Sequence, residues 1–228
     1  MGLNNFNNLR SGAPGTRNGT ITSGVNGTVG PVVITADSSV NNITFTGNPA
    51  VQDLVQTVAM ICIPTTVGSF CVTSSDGTNG VGIGNFGASN WGYSTSAGSF
   101  NDTGISMTLN VPTFVAISIN ASVANFVVCN LATGKIQTAI LGGITQAGAG
   151  NGTYFLLGDN NGDVGAVQIA AFMFSAGSLL SLNDSTYWAS DPWSFWYPKT
   201  FVEQPLVGQS FVAPAATPNI LGIASSEW

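Results

Sequence analysis

From residue 31 onward the chain runs in short apolar stretches separated by Gly, Asn, Ser or Pro. Residues 105–111 alternate: Ile105, Met107, Leu109 and Val111 share one side, and Ser106, Thr108 and Asn110 the other. A period of two is that of a strand with one dry face. Residues 55–63 (VQTVAMICI), 113–119 and 124–129 are nearly unbroken apolar runs, the pattern of strands buried on both faces. Pro64 closes the first run, because proline cannot donate to a central ladder. Shorter segments at 32–35, 40–46, 69–73, 91–94, 135–141, 154–157 and 167–174 also read as strands, with turns at 75–77 and 130–134. The glycine-rich segment 80–84 reads as a strand with edge glycines. The sum is about 12 short strands at intervals of about 12 residues, which predicts an antiparallel sandwich or jelly roll. One short helix is predicted over 178–184, and no repeat of 20–50 residues is present.

The pattern divides the chain into three zones. Residues 1–30 are Gly, Asn, Ser and Thr with scattered apolar positions, and they read as an extended N-terminal arm. Residues 31–198 are the β-sandwich. Residues 199–228 hold Pro205, Pro214 and Pro218 among apolar residues, and they read as an extended C-terminal tail too apolar for a solvated linker.

Composition narrows the chemistry. The 228 residues include ten acidic and four basic side chains, no histidine and a net charge of −6. Four cations cannot neutralise a phosphate track, so a nucleic-acid partner is excluded. Histidine catalysis and histidine metal sites are absent by composition. Cys62, Cys71 and Cys129 are odd in number, irregularly spaced and set in apolar runs, so they read as buried free thiols of a protein assembled in a reducing cytoplasm. The apolar runs are too short and too broken for a membrane span.

The C-terminal third carries a resemblance. Tyr154-Phe155-Leu156-Leu157-Gly158, the polar loop 159–165 and the strand 167–174 precede a short Leu/Ser helix. The segment Asp191-Pro192-Trp193-Ser194-Phe195-Trp196-Tyr197-Pro198 follows. This order resembles the closing strands of laminin-G-like / concanavalin A-like jelly-roll domains, and the Pro-Trp segment is similar to the end of members found in tailed-bacteriophage virion proteins. Segments 55–64, 112–120 and 124–134 resemble earlier strands of the same family. The resemblance covers residues 31–198 and implies a two-sheet jelly roll. It does not imply one function, because the fold hosts lectins, hydrolases, adhesion modules and virion parts.

Candidate sites are few. A glycosidase needs two carboxylates across one bond, and no strand carries acids at i and i+2, so the chain is expected not to be an enzyme. In the loop 159–165, Asp159, Asn161 and Asp163 place oxygen ligands at alternate positions, as a calcium loop does, although Gly or Asn turns have the same composition. Apart from this calcium candidate, no cofactor is expected. Trp91 and Tyr93 are candidate stacking rings for a glycan, with Asn85, Phe86 and Asn90 beside them; the same rings also suit a core. Trp193, Trp196, Tyr197, Phe201, Leu206 and Phe211 are candidates for an assembly interface, being apolar anchors in a segment with no core of its own.

These features predict a structural protein of a tailed-bacteriophage virion, located in the virion. It is read as a capsid decoration or minor capsid protein, a cement or head fibre, that binds neighbouring subunits through its arms. Its partners are then other virion proteins (major capsid or tail subunits) and copies of itself. The alternative is a glycan-binding adhesin module of a phage tail or fibre, with a host glycan as partner.

Overall fold

The computed structural model describes residues 15–35, 42–45, 55–67, 70–75, 79–84, 89–96, 99–120, 122–144, 154–156, 167–176 and 182–193. Fourteen strands and one helix lie in these segments. They are β1 (Thr16–Asn18), β2 (Ile21–Asn26), β3 (Gly30–Thr35), β4 (Asn42–Phe45), β5 (Val55–Pro64), β6 (Phe70–Ser75) and β7 (Asn79–Gly84). Then come β8 (Asn90–Ser96), β9 (Ser99–Ser106), β10 (Thr113–Asn120), β11 (Val123–Asn130), β12 (Lys135–Gly142), β13 (Tyr154–Leu156), β14 (Val167–Ala176) and α1 (Leu182–Ser190).

The strands form two seven-stranded sheets. Sheet I has the order β1-β4-β13-β6-β7-β8-β9, and sheet II the order β12-β11-β10-β5-β14-β3-β2. Every ladder is antiparallel. The fold is an all-β, two-sheet antiparallel jelly-roll sandwich.

The unbroken apolar runs have a physical cause: the central strands of sheet II are dry on both faces. Along β5, Val58, Met60 and Cys62 point to sheet I and join Ile43, Ile83, Trp91 and Ile105 in the inter-sheet core. Ala59, Ile61 and Ile63 point the other way, into a second apolar layer with Phe114, Ala116, Val127 and Met173. Trp188 and Trp193 pack against that second layer, and Ala189 of α1 is fully buried in it. Each large side chain removed from water this way stabilises the fold by roughly 1.5–3 kcal/mol. A bulge between Ile169 and Ala171 resets the parity of β14 against β5. As a result Ile169 and Phe172 both face the inter-sheet core, and Ala171 and Met173 the second layer.

Several expectations need correction. The arm assigned to 1–30 is not an arm over 16–30. There β1 pairs with β4 and β2 with β3, while Ile21 and Val29 are buried. One of its polar side chains ties β1 to β4: Asn18 Nδ2 donates to Asn42 Oδ1 at 2.6 Å and to Thr44 Oγ1 at 2.9 Å. The glycines of 80–84 lie in β7, between β6 and β8 inside sheet I, not at an edge. The alternating run 105–111 is strand only as far as Ser106. At Asn110 the backbone enters the left-handed region (φ 59°), and its N–H donates to the Pro64 carbonyl at 2.7 Å, so the chain turns into β10. The helix expected over 178–184 is observed at Leu182–Ser190, where Trp188 and Ala189 meet the dry outer face of sheet II. Ser190 Oγ donates to the Tyr187 carbonyl at 2.6 Å in its last turn, and Pro192 follows. The tail 199–228 lies outside the described residues.

Candidate functional site

In β8 (NWGYSTS) the period of two decides which side chains reach solvent. Trp91 and Tyr93 point inward and are 0% and 6% exposed, both in the inter-sheet core. This corrects their reading as a glycan-stacking pair: rings that fill the space between two sheets cannot stack on a sugar. Burial alone pushes the Tyr93 hydroxyl above its ordinary pKa.

The opposite face of β8 is polar. Asn90 pairs in register with Ser106 of β9, and Gly92 with Asp102. The Asn90 amide donates to Asp102 Oδ2 at 3.1 Å across the exposed ladder. Asp102 Oδ1 accepts the Gly104 N–H at 2.8 Å, an Asx-type turn made possible by the positive φ (72°) of Gly104. Thr103 Oγ1 donates to the Trp91 carbonyl at 2.6 Å and accepts the Ile105 N–H at 3.2 Å. The bulge between Asn90 and Gly92 is thus pinned by side chains.

The outcome is a strip of exposed or half-exposed polar groups on the outer face of the β8–β9 ladder: Asn90, Asp102 and Ser106. Further into sheet I, Gly82, Gly84 and Ser94 are buried. Chemically the strip offers one amide, one carboxylate and one hydroxyl, a mixed set of donors and acceptors with one charge. Such a set matches the hydroxyls of a sugar and not a phosphate, which needs cations.

The remaining candidates fall as follows. Trp193 is half-buried against the second apolar layer, so it covers the body of the sandwich. Trp196, Tyr197, Phe201, Leu206 and Phe211 lie outside the described residues, as do Asp159, Asn161 and Asp163. The thiols of Cys62 and Cys129 are buried and not joined in a disulfide, and burial raises the Cys129 thiol above its ordinary pKa. Asn90 stood beside the sequence candidates, whereas Asp102 was missed. The Asp102-Thr103-Gly104 turn signal was its one trace in the sequence.

No family profile and no curated protein matches the chain. Solved structures do match. Domain 4 of AbnA, a GH43 extracellular arabinanase from Geobacillus stearothermophilus solved with arabinotriose, superposes with TM-score 0.58 at 15% identity, over 82% of this chain and 93% of that domain. The binding domain of botulinum neurotoxin serotype G gives TM-score 0.54 at 13% identity, over 82% of this chain and 51% of that one. The enzymatically active domain of bacteriophage CBA120 tailspike protein 2 gives 0.52 at 15% identity, over 75% of this chain. The chain spans 29% of the length of that tailspike domain. The expectation that the chain is not an enzyme is corrected here. The same sandwich occurs in an enzymatically active tailspike domain and as a domain of an arabinanase, so the lack of paired acids on one strand does not exclude hydrolysis. At these identities the likeness establishes the fold: a two-sheet β-sandwich shared by phage tailspike, toxin and glycoside-hydrolase domains.

Proposed function

We propose that the chain is a glycan-binding sandwich module of a bacteriophage tail structure, with the Asn90–Asp102 strip as its sugar contact. The observation that carries this reading is the exposed amide–carboxylate pair, held in place by the Asp102–Gly104 turn and the Thr103–Trp91 bond. Support also comes from the arabinanase domain, solved with an oligosaccharide, and from the tailspike domain. The capsid-decoration reading rested on the Pro-Trp segment, the absence of catalytic groups, the cysteine usage and the two extended termini; residues 16–18, 21–26 and 30 lie instead in strands of the sandwich, and 199–228 lies outside the described residues.

The test is a glycan array of bacterial surface polysaccharides, followed by calorimetry on the best ligand. Asn90→Ala and Asp102→Ala are each expected to weaken binding about tenfold, the loss of roughly one hydrogen bond to a charged or well-fixed group. Melting temperature should stay within about 2 °C, because both sites are at the surface. Absence of binding by the parent protein across the array overturns the reading, and so does undiminished affinity of both variants. Antibody labelling of phage particles, with signal on tails expected, checks the location.

A further inference from the structure

Four strands end the two sheets: β1 and β9 in sheet I, β12 and β2 in sheet II. Sheet edges invite pairing with another chain unless they are short, charged, bulged or interrupted. β1 is three residues long. β9 meets β8 through two register breaks and carries the exposed Asp102. β2 is six residues with Gly24 inside it. β12 has the least of this protection. It keeps an unbroken eight-pair ladder to β11, contains no proline or acid, and has one charge, Lys135, at its first position. Among the described strands, none pairs with its other edge.

The side chains add a direction. Ile136, Thr138 and Ile140 lie in register with Cys129, Val127 and Asn125, so they share the face of sheet II that carries α1. Ile140 is 66% exposed and Val123, opposite Gly142, is 43% exposed. These are large apolar groups left in water next to an open ladder.

We propose that β12 pairs antiparallel with β12 of a second copy of this chain, about a two-fold axis at Thr138. Residues opposed in an antiparallel ladder share a face, so a two-fold between two identical strands must pass through one residue. With Thr138 on the axis, Ile136 of each copy meets Ile140 of the other, and Gln137 meets Ala139. Each Lys135 lies opposite Leu141 of the second copy, so the two ammonium groups sit at opposite ends. Moving the axis to Ala139 sets Ile140 against Thr138 and Ile136 against Gly142, and moving it to Gln137 sets Ile136 against Thr138. Only the Thr138 register joins the isoleucines, the kind of cross-strand pair that stabilises a sheet. The second copy is therefore selected by the strand's own self-complementarity. The inference does not depend on the glycan reading.

The test uses the full chain. At about 100 µM, a concentration suited to the small interface of a single strand pair, the parent protein is expected to sediment as a dimer. Ile140→Lys is expected to sediment as a monomer with an unchanged melting temperature. Under mild oxidation, Thr138→Cys is expected to form a covalent dimer at least ten times faster than Ile140→Cys, because only the residue on the axis meets its own copy. A monomeric parent at that concentration overturns the proposal. So does a dimeric Ile140→Lys, and so does cross-linking of Ile140→Cys at the rate of Thr138→Cys. None of these results bears on glycan affinity.

Discussion

The indole N–H of Trp91 is buried in the inter-sheet core and meets no acceptor among the described residues. An orphaned donor of this kind costs about 1–3 kcal/mol, which offsets part of what the ring contributes by filling space. Trp91→Phe removes the orphan along with some volume, and its effect on stability is expected to stay within about 1 kcal/mol. Trp91→Ala empties the site and is expected to cost about 3–5 kcal/mol. Urea unfolding measures both, and a folded Trp91→Phe protein should keep the parent's glycan affinity. Cys129 adds a pH dependence. Burial holds its thiol neutral in the folded state to a higher pH than in the unfolded chain. The unfolded chain therefore loses its proton first as pH rises above about 8.5, and stability falls from there. Tyr93, raised for the same reason, extends the fall at still higher pH. Thermal melts from neutral to alkaline pH should show this decline, and Cys129→Ala should remove its first part.

At the scale of elements, α1 makes sheet II a two-faced core. Ala189 is fully buried against it, in the layer that includes Phe114, Val127 and Met173. A carboxylate placed there has no partner, so Ala189→Asp is expected to cost about 3–5 kcal/mol. Ala189→Gly, which keeps the helix uncharged, is expected to cost about 1 kcal/mol. Denaturant titration followed by far-ultraviolet circular dichroism distinguishes the two.

The elements also differ in how far the sequence reveals them. β5, β10 and β11 are legible because strands packed on both faces must be apolar at nearly every position. β1 and β2 are not legible. Asn18, Gly24 and Asn26 have the composition of a linker, and no local pattern announces that β1 and β2 pair with β4 and β3. The helix is displaced along the sequence because its position follows from which face of sheet II is left uncovered. The site was legible only in part. Trp91 and Tyr93 sit among Gly, Asn and Ser and look like an exposed platform, until the parity of β8 turns them inward. That same parity brings out Asn90. Asp102 stays hidden, because its partner lies across a bulged ladder.

For the molecule as a whole, the low charge has a measurable consequence. With ten acidic and four basic side chains in 228 residues, ion pairs contribute little to stability, and what salt screens is mild self-repulsion. Melting temperature is expected to rise by no more than about 2 °C between low salt and about 0.5 M NaCl. A fall would show that attractive ion pairs hold the fold. The glycan strip behaves alike: its contacts are mainly neutral hydrogen bonds, so affinity for an uncharged sugar should be nearly independent of salt.

The place of β5 in sheet II matters before the protein is complete. This ten-residue strand is wrapped on one side by β10 and on the other by β14, whose first residue is Val167. A ribosome adding about 5–20 residues per second needs roughly 5–20 s to travel from the end of β5 to the start of β14. Through that interval one edge of a strand meant for the dry interior stays open on the nascent chain, and its outer face waits still longer for α1. Its birth, more than its finished state, is the moment at which this protein most needs a chaperone or a cold culture.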